Sequence, residues 1–235
     1  MLFMNNIAII SDIHGNITAL DAVLADIDGR GITAVYCLGD LVGYYCFFNE
    51  VVEKIMDRNI PCVLGNHDYA LINNKGVIER SKTCTRILGW QLQFISDKAM
   101  DYLKTLPDIF TLNIFGKSAS CVHAGLQDPI DEYLFDVNMQ YLEDNNFKED
   151  ILITGHTHLP AYKKFFTGKT WLNPGSVGQP RDGDNRASYM VIREDYNIEF
   201  IRVGYNKQLV LDAMKKNGFE DYITNPLITG FKIGL

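Results

Sequence analysis

The chain carries five histidines, and each stands in a short polar motif that follows an apolar run. Asp12-Ile13-His14 follows Ile7–Ile10, Gly65-Asn66-His67-Asp68 follows Pro61–Leu64, His123-Ala124-Gly125 follows Ser118–Val122, and Gly155-His156-Thr157-His158 follows Ile151–Ile153. A fifth motif, Gly39-Asp40, follows Ala34–Leu38. Imidazole, carboxylate and amide oxygen without thiolate suit borderline divalent ions such as Mn, Fe or Zn. The donors outnumber what one ion takes. Two ions held roughly 3.5–4 Å apart by a shared carboxylate are the arrangement of a two-metal hydrolase. In an extended segment residues i and i+2 point the same way, so His156 and His158 are expected to face one cavity.

The elements that must position these motifs are legible from period and punctuation. Ile7–Ile10 reads as a buried strand, and Asn16 caps a helix over Ile17–Asp28 with Ile17, Leu20, Leu24 and Ile27 on one face. Ala34–Leu38 is a second strand, Asn49–Asp57 a helix and Pro61–Leu64 a third strand. This β-α-β-α-β order predicts parallel strands with right-handed crossovers. Residues 73–107 read as helical, around Cys84–Phe94 and Asp97–Thr105, with Trp90 and Phe94 as helix core. Strands then resume in three hairpins, Phe110–Phe115 with Ser118–Val122, Ala161–Phe166 with Thr170–Leu172, and Ala187–Arg193 with Ile198–Val203. Helices are expected near Val137–Asn146 and over Lys207–Lys216, and the tail from Phe219 is too short to assign. Every motif thus stands past the carboxyl end of a predicted strand, where open α/β sheets bind ligands.

Bulk properties narrow the class. The 235 residues are expected to form one domain, 1–235, of ordinary soluble composition, 47% hydrophobic and 22% charged. No apolar run reaches the roughly 18 residues of a membrane span, and no signal peptide is apparent at the N-terminus. Five cysteines without CxxC spacing point to free thiols in a reducing cytoplasm. A net charge of −7 argues against a general nucleic-acid surface. It is compatible with phosphate substrates, because bound metal ions reverse the local field.

In order, Asp-x-His, Gly-Asp, Gly-Asn-His-Asp, His-Ala-Gly and Gly-His-Thr-His resemble the calcineurin-like metallophosphoesterase superfamily over about residues 7–158. Asn173–Asp182 resembles its small bacterial and archaeal phosphoesterase branch. The ordered set is specific, whereas each part alone is weak. The resemblance implies a four-layer α/β/β/α sandwich, two mixed β-sheets flanked by helices. It implies one metal on Asp12, His14 and His158, a second on Asn66, His123 and His156, and Asp40 as the bridge. His67 becomes the spare histidine near the leaving group, and Asn66 and His67 would also meet substrate. The implied activity is hydrolysis of a phosphodiester or small phosphomonoester, a nucleotide included, by a metal-bridging hydroxide. Manganese is the first expectation for the two ions, with Fe, Zn and Ni as alternatives. A Ser/Thr-type protein phosphatase or a dinucleoside-polyphosphate hydrolase is the alternative activity. A non-catalytic scaffold of the same fold is disfavoured, because no ligand position is missing.

One departure bears on substrate binding. The protein phosphatases read Gly-Asp-x-x-Asp-Arg-Gly at the second motif, where this chain has Gly43 and Tyr44 in place of the acid and the arginine. Arg181, or Arg186, could supply the missing cation. Asp68 could cap a helix or touch the chemistry. Asn173–Gly178 could be structural or face substrate, and Tyr44, Tyr45, Phe47 and Phe48 could stack on a base, line an entry or form a homo-oligomer contact.

Overall fold

The computed structural model describes residues 6–73, 82–219 and 221–231. Its core starts from β1 (Ile7–Ile10), whose four residues are all buried. Strand alternation sends Ile7 and Ile9 to one face and Ala8 and Ile10 to the other. A strand covered on both faces reads as a continuous apolar run. β1 pairs in parallel with β2 (Ala34–Cys37) across the crossover helix α1 (Ile17–Gly29). On its other side it pairs antiparallel with β8 (Ala187–Ile192), which forms a hairpin with β9 (Ile198–Val203). The second sheet has the order β3-β4-β5-β7-β6, built from β3 (Ile109–Ile114), β4 (Lys117–Val122), β5 (Ile151–Ile153), β6 (Pro160–Lys164) and β7 (Thr170–Pro174). Its centre, β4, β5 and β7, is parallel, and both edges are antiparallel.

The two mixed sheets pack face to face. Ile7, Ile9, Met190 and Ile192 of the first meet Ala119, Cys121, Ile151, Ile153 and Leu172 of the second. Outside the first sheet lie α1 and α2 (Phe48–Asp57), through Leu20, Val23, Ile27, Val51, Val52 and Ile55. Outside the second lies α6 (Met139–Asp144), with Leu142 near Val122, Leu152 and Trp171. The core beneath α1 and α2 also takes in α3 (Asn66–Asn73), α4 (Lys82–Phe94) and α5 (Asp97–Leu103) through Ala70, Leu71, Leu88, Ala99 and Leu103, and the described helices close with α7 (Lys207–Lys216) and α8 (Asp221–Thr229). Mixed sheets flanked by helices are the expected architecture. Among the described residues no helix is long and apolar enough to cross a membrane. None of the five cysteines is in a disulfide among the described residues.

Several local expectations are corrected. Pro61–Leu64 is no ladder strand: Cys62 makes a single parallel bridge to Cys37, and Leu64 N–H already turns to Pro107 O at 2.8 Å. Asn66-His67-Asp68, which follow, form the first turn of α3. The mixed character of the sheets holds, since the parallel pair β1–β2 shares its sheet with the last hairpin. Tyr45 and Phe48 are core residues, whereas Phe94 is 58% exposed and Trp90 packs between Phe48 and Phe219. The unassigned tail forms α8, which sets Ile223 and Leu227 against Val210 and Met214 of α7. Within the predicted helical segment, residues 74–81 lie outside the described residues.

Candidate metal centre

The loops that leave β1 and β2 are bonded side by side. Ile13 and His14 N–H donate to Asp40 O, both at 2.9 Å, and Gly15 N–H donates to Leu41 O at 2.8 Å. Asp68 holds this double loop against α3. It is fully buried, its Oδ1 accepts from Leu41 and Val42 N–H at 3.0 Å each, and its Oδ2 accepts from Gly65 N–H at 3.1 Å. Burial, with nearby Asp40, raises its carboxyl to about 7. The bond from Gly65 N–H is made at the start of its own helix, and the bonds from Leu41 and Val42 add a brace that neither reading included. Gly65 sits so close that an added Cβ would lie 2.1 Å from Asp40 N, which is why no side chain fits there.

Each carboxylate of the cluster spends one oxygen on the fold and points the other inward. Asp12 Oδ2 accepts from Ser11 Oγ at 2.7 Å and from His156 N–H at 3.1 Å, while the buried Oδ1 has no hydrogen-bond donor among the described residues. Asp40 Oδ1 accepts from His67 N–H at 2.8 Å. Its Oδ2 lies 3.6 Å from His14 Nε2 and 3.4 Å from His123 Nε2, so a single oxygen reaches both halves of the site. Burial raises Asp12 to about 6, whereas for Asp40 burial is outweighed by His123, His67 and His14, which hold it well below the usual carboxylate range.

The histidines are oriented from behind. His14 Nδ1 lies 2.9 Å from Val42 O, His123 Nδ1 2.6 Å from Leu38 O and His158 Nδ1 2.5 Å from Gln179 O. A carbonyl only accepts, so each Nδ1 carries a proton, and where the ring is neutral its Nε2 presents a lone pair to the cavity. Burial lowers His14 to about 4 and, with Arg181 adding to it, lowers His158 well below the usual histidine value. Both rings are therefore neutral, yet their Nε2 atoms face each other at 3.1 Å. Two lone pairs at that distance repel, and a cation beside them removes the conflict. His123 Nε2 likewise faces Asn66 Oδ1 at 3.1 Å. Burial alone would lower His123, but Asp40 overrides it and lifts the ring to about 10, so a proton serves there where a metal would.

Two compact donor sets result, Asp12–His14–His158 and Asp40–His123–His156, each with its ligand atoms within 4.8 Å of one another. Opposed lone pairs, an inward carboxylate oxygen without a donor and a shared Asp40 fit divalent ions. His14, Asp40 and His67 form a third such set. His156 and His158 reach different sets, but not along an extended segment. Both hold left-handed backbone, φ 63° and 62°, in the turn after β5. Asn173 steadies that turn, donating from Nδ2 to Gly155 O at 2.7 Å and to Thr157 Oγ1 at 3.1 Å.

His67 sits beside the sets, its ring centroid 4.8 Å from His14 and 4.9 Å from Tyr44. Cys84 Sγ of α4 lies 3.8 Å from His67 Nδ1. Gly43 leaves room for that ring, since a Cβ there would lie 2.3 Å from the same nitrogen. Arg181 is at the His14–His158 end. Its Nη2 donates to Tyr44 Oη and to Gln179 Oε1, both at 3.1 Å, and its buried Nε has no acceptor among the described residues. Arg186 instead pairs with Asp184 at 2.6 Å. The Asn173–Gly178 loop braces the first motif, with Val177 N–H on Ser11 O, and Gly178 N–H and Ser176 Oγ on Asp12 O.

Sequence reasoning missed Cys84, Gln91, Asp131 and Tyr133. Gln91 ties α4 to the second motif, accepting from Gly43 N–H at 2.9 Å and donating to Tyr45 O at 2.8 Å. Nothing in its helix signals this. Asp131 accepts from Asn66 Nδ2 at 3.2 Å and stands 3.7 Å from His156 Nε2. Its place after β4, past a strand's carboxyl end, was an available signal.

The profile of the calcineurin-like phosphoesterase superfamily domain matches residues 5–196. An uncharacterised protein of Methanocaldococcus jannaschii is 39% identical over 240 residues, which cover 95% of this chain and 98% of that one. The crystal structure of a metallophosphoesterase from Sphaerobacter thermophilus is similar with a TM-score of 0.81 and 30% identity, covering 97% of this chain and 99% of the other. A hypothetical protein from Pyrococcus horikoshii OT3 has a TM-score of 0.87 at 23% identity, over 97% and 100% of the two chains, a likeness of fold.

Proposed function

The chain belongs to the calcineurin-like phosphoesterase superfamily, and from that premise we propose that it hydrolyses phosphate esters at a binuclear divalent-metal centre. The observation that carries this reading is the Asp40 oxygen lying within 3.6 Å of His14 Nε2 and 3.4 Å of His123 Nε2, between two sets of inward donors. Asp12, His14 and His158 would hold one ion, Asn66, His123 and His156 the other, and Asp40 both. The nitrogen and oxygen donors suit manganese, with iron, zinc or nickel as alternatives. When bound, such ions supply Lewis acidity toward phosphoryl oxygens and acidify a water.

The chain's own residues supply the rest. Hydrolysis breaks the phosphorus–ester oxygen bond, joins a water oxygen to phosphorus and leaves an alkoxide that needs a proton. His67 donates that proton from Nε2, since Nδ1 faces Cys84 and Gly43. Arg181 and the Tyr44 hydroxyl hold the non-bridging oxygens. Burial raises the Tyr44 phenol to about 12, so it stays a neutral donor. Assays of bis-p-nitrophenyl phosphate and p-nitrophenyl phosphate across Mn, Zn, Ni, Mg and Fe test the proposal. Release of nitrophenolate in a metal-dependent manner is expected, with a strong diester preference marking a phosphodiesterase. Inertness toward both esters with every metal bound would reject it.

A further inference from the structure

At the His156 end of the cluster the segment after β4 sets two aromatic rings at the surface. The Tyr133 ring centroid lies 4.0 Å from that of His156, and Phe135 lies nearly parallel to Tyr133, 5.7 Å away with 14° between the planes. The two residues are 44% and 67% exposed, an unusual outlay of apolar surface beside a polar cavity. Three of the acids around them, Glu132, Asp128 and Asp136, are engaged within the segment or with a neighbouring strand. Glu132 accepts from Gln127 N–H at 3.0 Å and Tyr141 Oη at 2.8 Å, Asp128 accepts from Ile130 N–H at 2.9 Å, and Asp136 pairs with Lys163 at 2.7 Å. Arg181, which suits an anion, stands at the opposite, His14–His158 end. The site therefore has a phosphate-seeking end and a flat, acid-rimmed aromatic end that would repel a phosphate and accept an uncharged ring.

We infer that Tyr133 and Phe135 form a nucleobase subsite, so that the substrate class is a nucleotide ester with its phosphate at the metal-ligand cluster and its base on this aromatic pair. The inference rests on the phosphoesterase reading. Stacking tolerates any base, because every base offers a π-face, and Asp131 at the rim can accept from a base amine. Titration calorimetry on manganese-loaded protein compares AMP with ribose 5-phosphate, which differ only by the base. Wild type is expected to bind AMP about 5–150-fold more tightly, the range of one base–aromatic stack. Phe135→Ala, at an exposed position that leaves folding intact, is expected to bring AMP toward the affinity of ribose 5-phosphate while the latter holds. Tyr133→Leu should do the same. Equal affinities in wild type, or a ratio that survives Phe135→Ala, overturns the subsite. Hydrolysis of bis-p-nitrophenyl phosphate by the same loaded protein separates the two levels. A base preference without hydrolysis rejects the phosphoesterase reading alone, and hydrolysis without a base preference rejects the subsite alone.

Discussion

Asp12, His14, Asp40, His156 and His158 all hold left-handed backbone, with φ between 54° and 63°. Each such residue costs roughly 1–2 kcal/mol relative to the right-handed region. That cost persists where surrounding contacts over-determine the conformation, and here they do: His156 N–H is tied to Asp12 and His158 Nδ1 to Gln179 O. The consequence is a division of labour. The five strained residues aim donors at the cavity, whereas His67, on a helix, stands aside with Cys84 behind it. His67→Ala is accordingly predicted to keep both ions by metal analysis while kcat falls about 10²–10⁴-fold, the usual worth of a general acid. His156→Ala is predicted to lose an ion and hydrolysis together. Metal loss in the His67 variant would make His67 a ligand through the His14–Asp40–His67 set. Donor identity was legible because histidine is scarce in this chain and all five copies follow apolar runs. Donor geometry was not, because the i, i+2 rule presumes extended backbone and the turn after β5 is not extended. Tyr133 and Cys84 were illegible for another reason: each meets the site through residues distant in sequence.

At the scale of elements, the cluster depends on loops that brace one another rather than on any one strand. Asp68, at the start of α3, gathers the N–H groups of Leu41, Val42 and Gly65 and so locks the second motif to the third. Removing its carboxylate strands three buried donors. Asp68→Ala is predicted to lose on the order of 1–3 kcal/mol for each donor left without an acceptor. Thermal melts should drop by roughly 2–4 °C per kcal/mol for a chain of this size. An unchanged melting temperature would show that water takes the place of the carboxylate. The strands themselves were readable from apolar runs and turn residues. Pro61–Leu64 was read one step too far, because an apolar run does not reveal that its partner carbonyls end at Cys37. The Asn173–Asp182 loop divides into a buried brace under Asp12 and an Arg181 at the cavity mouth, a split that composition alone does not disclose.

For the whole molecule, the two sheets share an apolar interior, and the motifs gather at one rim of it. Mixed α/β character followed from period and punctuation. The four-layer arrangement came from family resemblance, since strand pairing between β1 and β8 joins residues far apart in the chain. This assembly places Asp40, from the first sheet's rim, against His123 and His156, from the second's, so the fold closes the site only when both sheets are docked. Whether such closure makes a working pair of metal sites is read by titrating manganese into metal-stripped protein and following bis-p-nitrophenyl phosphate hydrolysis against bound metal. The prediction is negligible turnover in the stripped protein and a plateau reached only at two ions per chain. Full turnover in the stripped protein, a plateau at one ion, or two bound ions without turnover would contradict it.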